Sequence, residues 1–227
     1  MLIEWKYIPK EMRNDKVKGY YNSLLKRKKS LILKRIFDII FSSIMLIFLL
    51  PFFVIIGILI KLDSKGPIFF RQTRVTQYGR RFKIYKFRTM VNNADKIGSK
   101  VTVDNDIRIT RMGKLLRGLR LDEMPQLINV LIGDMSFVGT RPEVVKYVNK
   151  YNDEMKATLL LPAGITSNAS IEYKDEASLL IDCTNVDEVY IEKILPEKMK
   201  YNLNSIREFT FLGDMKTMLN TVIALIK

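Results

Sequence analysis

The chain has 227 residues, with 38 Lys and Arg against 24 Asp and Glu for a net charge of +14, and 48% of it is apolar. That apolar share excludes an unfolded chain, and the lone Cys183 excludes a disulfide scaffold. The absence of histidine excludes a Cys/His zinc site, a Ser-His triad and any imidazole base, so acid–base or nucleophilic chemistry must run on carboxylates, Lys, Tyr, Ser or Thr.

Charge is segregated along the chain. Residues 1–35 carry net +8 and read as a basic N-terminal arm, while residues 36–60 carry one charge, Asp38. In that second segment 20 of 25 residues are Ile, Leu, Val, Phe or Met, and Ile39–Ile60 is an uncharged run of 22. About 20 apolar residues suffice to span a bilayer as a helix. The run begins too late, is too long and lacks the small-residue cleavage site of a signal peptide. Two features favour a helix that dips into the membrane and returns over a straight span. Both flanks are basic, Lys26–Lys29, Lys34 and Arg35 before it and Lys61, Lys65, Arg71 and Arg74 after it, and short basic flanks stay cytoplasmic. Pro51, inside the run, removes a backbone donor and bends the helix, with Ser42 or Ser43 placed to help satisfy the backbone. The Lys and Arg of residues 16–35 add a surface anchor for anionic lipid. No zinc-finger, helix-turn-helix or RNP-like pattern accompanies the basic charge, so nucleic acid is not an expected partner.

Beyond Lys61 the elements are short. Ile68–Arg74 and Arg81–Arg88 read as strands, residues 89–98 as helix, and Ile107–Leu119 as mixed turn and helix. A helix over Met124–Ile132 starts with Pro125 in its first turn and ends at Gly133. A second helix is expected over Pro142–Lys156, and another over about 186–200. The tail, 203–226, places Leu212, Met215, Leu219, Val222 and Ile226 on one face. Its polar face has almost no Lys or Arg, so the spacing predicts a packed core helix over a membrane-surface one. The expected class is α+β: a re-entrant membrane helix (36–60) on a small, mainly helical cytoplasmic domain with short strands (61–227).

Several groups could carry chemistry. Asp122-Glu123 opens the predicted helix at Pro125, with Arg117 and Arg120 just upstream, and guanidinium groups bind phosphate in bidentate fashion. The same pair of carboxylates also fits an ordinary helix cap. Gly133–Pro142 is a second glycine-bearing loop and carries Arg141. Lys83-Ile84-Tyr85-Lys86-Phe87-Arg88 alternates cations and apolar residues. Asp104-Asn105-Asp106 offers a rival: an Asp-x-Asp pair on a divalent metal, as in metal-dependent glycosyltransferases that release UDP.

The order of motifs resembles the bacterial sugar transferase family of small membrane phosphoglycosyl transferases. The matching stretches are Lys34-Arg35-Ile36-Phe37-Asp38, Gly66–Gln72, Phe82–Met90, Asp106–Thr110, Leu121–Leu127, Gly133–Ser136 and Gly139–Pro142, together covering roughly residues 31–170. The resemblance implies transfer of a sugar-1-phosphate from a UDP-sugar to a polyprenyl phosphate, with Mg²⁺ and release of UMP. It further implies Asp122 as covalent nucleophile and Glu123 at the metal or in proton handling, the two carboxylates together as metal ligands. Arg117, Arg141, Lys86 and Arg88 become expected phosphate or nucleotide ligands and Pro51 the membrane kink. Membrane lipids and a second copy of the chain are further expected partners, and the bacterial inner membrane, cytoplasmic side, is the expected location. The chain departs from the family pattern in having Leu50-Pro51 where Ser-Pro is usual and Gly139-Thr140-Arg141-Pro142 where Gly-Pro-Arg-Pro is usual. It also lacks the aromatic and arginine that some relatives carry in the stretch Ser167–Glu172. The third departure leaves the sugar open. A non-catalytic polybasic membrane adaptor is the remaining alternative, separated from both transferase readings by the nucleotide released.

Overall fold

Helix α1 (Asp15–Leu25) starts where the Asn14 side chain accepts the Val17 amide at 2.9 Å. The computed structural model describes residues 2–92, 94, 106–173 and 186–226. The basic arm is not a solvated run. Val17, Tyr20, Tyr21 and Leu24, spaced to share one helix face, are buried against Ile8, Met12, Ala157, Leu160, Ile206 and Phe209, while Lys16 and Lys18 stay exposed. Counting charges hides this pattern because the lysines occupy the outer face of the same helix.

Helix α2 (Lys28–Asp63) is longer than the predicted segment at both ends and stays helical through Pro51. Among the described residues it is the one helix long and apolar enough to cross a membrane. Its exposed side is almost wholly apolar, with Ile47, Phe48, Leu50 and Phe52 60–73% exposed around Pro51. The other side lies along the body. Phe37, Met45, Leu46 and Leu49 pack on the core of Phe82, Ile84, Leu127, Val130 and Phe137, and Phe53, Ile56 and Ile60 pack around Phe87 and Leu116. Polar locks hold its N-terminal part. Lys34 Nζ donates to Val138 O at 2.8 Å and pairs with Asp214, and Asp38 accepts the Phe137 amide. Arg35 donates to Val130 O and Leu131 O at 2.7 and 2.9 Å. The Ser42 hydroxyl turns back to its own helix, onto Asp38 O.

Strands β1 (Phe69–Val75) and β2 (Arg81–Phe87) form an antiparallel hairpin in register Phe69↔Phe87 to Val75↔Arg81, close to the sequence expectation. The outer edge of β2 is paired by a side chain: the Tyr85 amide donates to Asn129 Oδ1 at 2.9 Å, and Asn129 Nδ2 to Lys83 O at 3.1 Å. Residues 89–92 are not helical; Met90 bridges Ile109, and most of the remaining 93–98 lies outside the described residues. Helix α3 (Arg111–Gly118) follows, capped by Thr110. Helix α4 (Gln126–Ile132) ends at Gly133, whose φ of +87° is the left-handed conformation that stops the helix. Two short strands, β3 (Met135–Val138) and β4 (Ala163–Thr166), pair in parallel and were not legible in the sequence.

The expected helix over 142–156 shrinks to α5 (Val145–Val148), because Asn152 Oδ1 captures the Glu154 and Met155 amides and starts a separate 3₁₀ turn. After α6 (Asn168–Glu172), α7 (Val186–Val189) runs through a π turn at 190–194 into α8 (Leu195–Arg207). Pro196, which lacks the amide that would bond four residues back, sits just past that turn.

The last helix, α9 (Phe211–Ile226), reverses the expectation of a packed apolar face. Its polar side points inward: Asp214 pairs with Lys34, Thr217 donates to Asn168 Oδ1 at 3.1 Å, and the Thr221 and Thr166 hydroxyls are 2.7 Å apart. Its apolar stripe points outward, with Leu212, Leu219, Val222 and Ile223 52–77% exposed.

Candidate active site

Asp122 and Glu123 occupy a single 3₁₀ turn, Leu121–Glu123, set apart from α4 by Met124-Pro125 rather than forming its first turn. The turn is entered through Arg120, which has the left-handed φ of +53°. That conformation is uncommon outside glycine, and it fixes the direction of the two carboxylates.

The neighbours sit in opposite environments. Glu123 accepts from Lys86 Nζ at 2.6 Å and from both terminal nitrogens of Arg141, at 2.5 and 3.2 Å. Burial pushes Glu123 up, but the charges and hydrogen bonds of Arg141 and Lys86 carry it well below the usual carboxylate range. It is an anion fixed between two cations and a poor proton carrier at neutral pH. Asp122 makes no ion pair among the described residues. Burial and the negative charge of Glu123 raise its pKa, against the opposing pull of Lys86 and Arg117. A partly desolvated, unpaired carboxylate is the more reactive of the two.

The expected cations divide. Lys86 and Arg141 reach the carboxylates directly, and burial lowers the Lys86 ammonium despite Glu123. Arg117 stands beside them, its Nε donating to Thr89 Oγ1 at 2.9 Å, with its terminal nitrogens unpartnered among the described residues. Gly113 makes this possible: a Cβ there would lie 2.0 Å from Thr89 O, so only glycine lets α3 close on that segment. Arg88 goes elsewhere. Its Nη2 donates to Ile60 O, Ser64 O and Ser64 Oγ at 2.6–3.2 Å, clamping the C-terminal end of α2 where helix carbonyls lack partners. Pro51 lies in the exposed middle of α2.

Two groups at the site escaped the sequence reading. Arg74 shares the hairpin face of Lys86, since residues two apart on a strand point the same way and Phe70 is the Lys86 partner. Glu143, two residues beyond Arg141, accepts from Tyr190 Oη at 2.6 Å and has Lys198 Nζ at 3.8 Å, all three buried. Alternation along β1 signals the first; the second joins residues 47 and 55 positions apart and leaves no local trace.

Among the described residues no group of three or more His, Cys, Asp or Glu is placed to hold a metal. Mg²⁺ needs only one or two carboxylates when substrate phosphates supply the other oxygens. Asp122 fits that need, whereas Glu123 has both oxygens engaged by cations. Of the rival Asp-x-Asp pair, Asp104 lies outside the described residues. Asp106 accepts from Arg108 Nε, Nη2 and backbone N at 2.6–3.1 Å, and these bonds lower it to about 2. Its lone pairs face a guanidinium, not an open site.

A family model for bacterial sugar transferases matches residues 29–227. The chain is 37% identical over 199 residues to a UDP-glucose:undecaprenyl-phosphate glucose-1-phosphate transferase of Klebsiella pneumoniae, covering 85% of this chain and 40% of that protein. It is 44% identical over 123 residues to a UDP-N-acetylgalactosamine-undecaprenyl-phosphate N-acetylgalactosaminephosphotransferase of Aeromonas hydrophila, covering 54% and 29%. Over 130 residues it is 42% identical to a putative undecaprenyl-phosphate N-acetylgalactosaminyl 1-phosphate transferase of Bacillus subtilis, covering 57% and 73%. The chain thus spans less than half the length of the first two relatives. With the model match extending over most of its residues, and the carboxylate pair and its cations inside the matched range, the chain belongs to the bacterial sugar transferase family.

Proposed function

We propose that this chain transfers a sugar-1-phosphate from a UDP-sugar to a polyprenyl phosphate at the cytoplasmic face of the bacterial inner membrane, the first membrane step of a lipid-linked glycan. The observation that carries the reading is the contrast between the adjacent carboxylates: Glu123 is neutralised by Lys86 and Arg141, and Asp122 is left unpaired among cations.

An Asp122 carboxylate oxygen attacks the sugar-bearing phosphorus. The bond from that phosphorus to the bridging oxygen of the diphosphate breaks, and UMP leaves with the electron pair. A polyprenyl phosphate oxygen then attacks the acyl phosphate, the bond to Asp122 breaks, and the carboxylate is restored with no net proton exchange. In this reading Arg117, held through its Nε by Thr89, neutralises charge that gathers on the transferring phosphoryl group, and Glu123 orients Lys86 and Arg141. Mg²⁺, held by Asp122 and the diphosphate oxygens, would supply further charge neutralisation.

The membrane placement rests on α2. Asp38 and Asp63 are 25 residues apart, about 37 Å along a helix, yet Lys34, Arg35 and Asp38 at one end and Asp63 at the other bind one folded body. A helix crossing a ~30 Å hydrocarbon core would carry one end away from that body. A helix bent at Pro51 that enters and leaves by the same face keeps both attachments. Helix α9 meets α2 through Phe211 and Phe37 and adds a second outward apolar stripe.

The deciding experiment incubates purified enzyme with a panel of UDP-sugars and no lipid acceptor. UMP release to about one equivalent, with a phosphosugar on the Asp122 peptide that Asp122→Asn abolishes, supports the mechanism. Release of UDP, or turnover with acceptor but an unmodified Asp122 peptide, would sink it.

A further inference from the structure

Arg74 is a cation with neutral partners. Its Nε and Nη2 donate to Gln72 Oε1 at 3.1 and 2.7 Å, and its Nη1 donates to Pro142 O at 3.2 Å. Those three bonds use three of the five guanidinium hydrogens and leave one on each terminal nitrogen. None of the acceptors is charged, and among the described residues Arg74 makes no ion pair. The nearest acid in sequence across the contact, Glu143, is engaged by Tyr190 and Lys198. Burial lowers the Arg74 guanidinium, the charge of Glu143 opposes this without direct contact, and Arg141 adds like-charge repulsion.

A largely buried cation costs free energy unless an anion compensates it. The other cations at the site differ in this respect. Lys86 and Arg141 are committed to Glu123, and Arg117 feels the opposite charge of Asp122. Arg74 is therefore a held, oriented cation beside Arg141 that hydrogen-bonds only neutral acceptors, with no carboxylate in direct contact among the described residues. Phosphate is the matching anion, since two remaining N–H groups on a planar fork suit two phosphate oxygens. Phe87, which meets Phe53 of α2 and stacks on Phe69, lies on the opposite face of the hairpin, so Arg74 is turned from that part of the membrane helix.

We propose that Arg74 binds the nucleotide phosphate, the one that departs as UMP, with Gln72 and the Pro142 carbonyl as the residues that orient it. This rests on the proposed function for the identity of the nucleotide, and the test separates the two. The full chain in nanodiscs is titrated with UMP alone, a measurement that needs no chemistry, for wild type, Arg74→Gln, Arg74→Lys and Gln72→Met. Arg74→Gln should weaken UMP binding roughly ten- to hundredfold, the loss expected of one charge-assisted bidentate contact. Arg74→Lys should restore part of it, and Gln72→Met, which keeps the charge but loosens its aim, should fall between. Melting temperatures within a few degrees of wild type establish that the variants are folded; if Arg74→Gln is not, Arg74→Lys and Gln72→Met carry the comparison. In a second arm, enzyme preloaded with phosphosugar is chased with polyprenyl phosphate, and the chase rate should be unchanged. UMP affinity within twofold of wild type in the folded variants overturns the proposal. A slowed chase with normal UMP affinity also overturns it, by moving Arg74 to the lipid phosphate. Failure of the wild type to release UMP without acceptor would instead count against the covalent mechanism and leave the UMP titration readable.

Discussion

Arg141 grips Glu123 with both terminal nitrogens, Nη2 on Oε1 at 2.5 Å and Nη1 on Oε2 at 3.2 Å. Two bonds from one planar group fix an orientation that a single ammonium cannot. Arg141→Lys keeps the charge and loses the fork. It should lower the rate of UMP release by about ten- to hundredfold while leaving membrane retention and melting temperature unchanged. Arg80→Lys is the control, because the Arg80–Asp134 pair is half-exposed at the surface and such pairs contribute little. Near wild-type turnover in Arg141→Lys would remove Arg141 from the site.

The pH dependence follows from the unequal carboxylates. Only ionised Asp122 can attack, and burial with the charge of Glu123 holds its pKa above the ordinary 3.8. The pH profile of kcat/KM, which reports groups of the free enzyme, should therefore fall as pH drops through a limb lying above that value, about tenfold per pH unit below it. Arg117 opposes the rise, so Arg117→Gln should move the limb to higher pH whatever it does to the maximum rate. A limb that stays in place or moves down contradicts the electrostatics described above. Glu123 has the opposite sign: its depressed pKa gives stability that is present above the ordinary glutamate value and is lost as acid protonates it.

Gly113 tests how Arg117 is delivered. A Cβ at this position would meet Thr89 O at 2.0 Å, so Gly113→Ala must push α3 off the segment that carries its Arg117 contact. A melting temperature lower by roughly 2–10 °C and a slower first half-reaction are expected. Gly118→Ala, with nothing within 4 Å, should be neutral or slightly stabilising. Equal behaviour of the two variants would show that the close approach is not needed.

Topology can be read by labelling. Lys18 and Lys65 are exposed on either side of α2, so single cysteines there, in a Cys183→Ser background, should both resist a membrane-impermeant thiol reagent in intact cells and both react once the membrane is opened. Labelling of one site in intact cells would show that α2 crosses the bilayer.

What the sequence determined by itself is what depends on local order. The apolar run locates the long helix α2, alternation locates the β1–β2 hairpin, and Asp122-Glu123 with Arg117 and Arg141 marks the candidate site. These signals survive because each is carried by neighbouring residues or by a fixed motif. Tertiary structure decided which partner each charge takes. Arg88 alternates with Lys86 in sequence, yet one clamps α2 and the other meets Glu123, because the chain leaves the strand between them. Glu123 and Asp122 differ only in that Lys86 and Arg141, 37 and 18 residues away, converge on one of them. The α9 stripe has the spacing of a core helix, but its fate was set by Lys34, Asn168 and Thr166, which offer its polar side buried partners and leave the apolar side outward. A buried polar group must be paired and an apolar face can be met by lipid, so long-range pairing determines which side turns in, and that information is not held in any one segment.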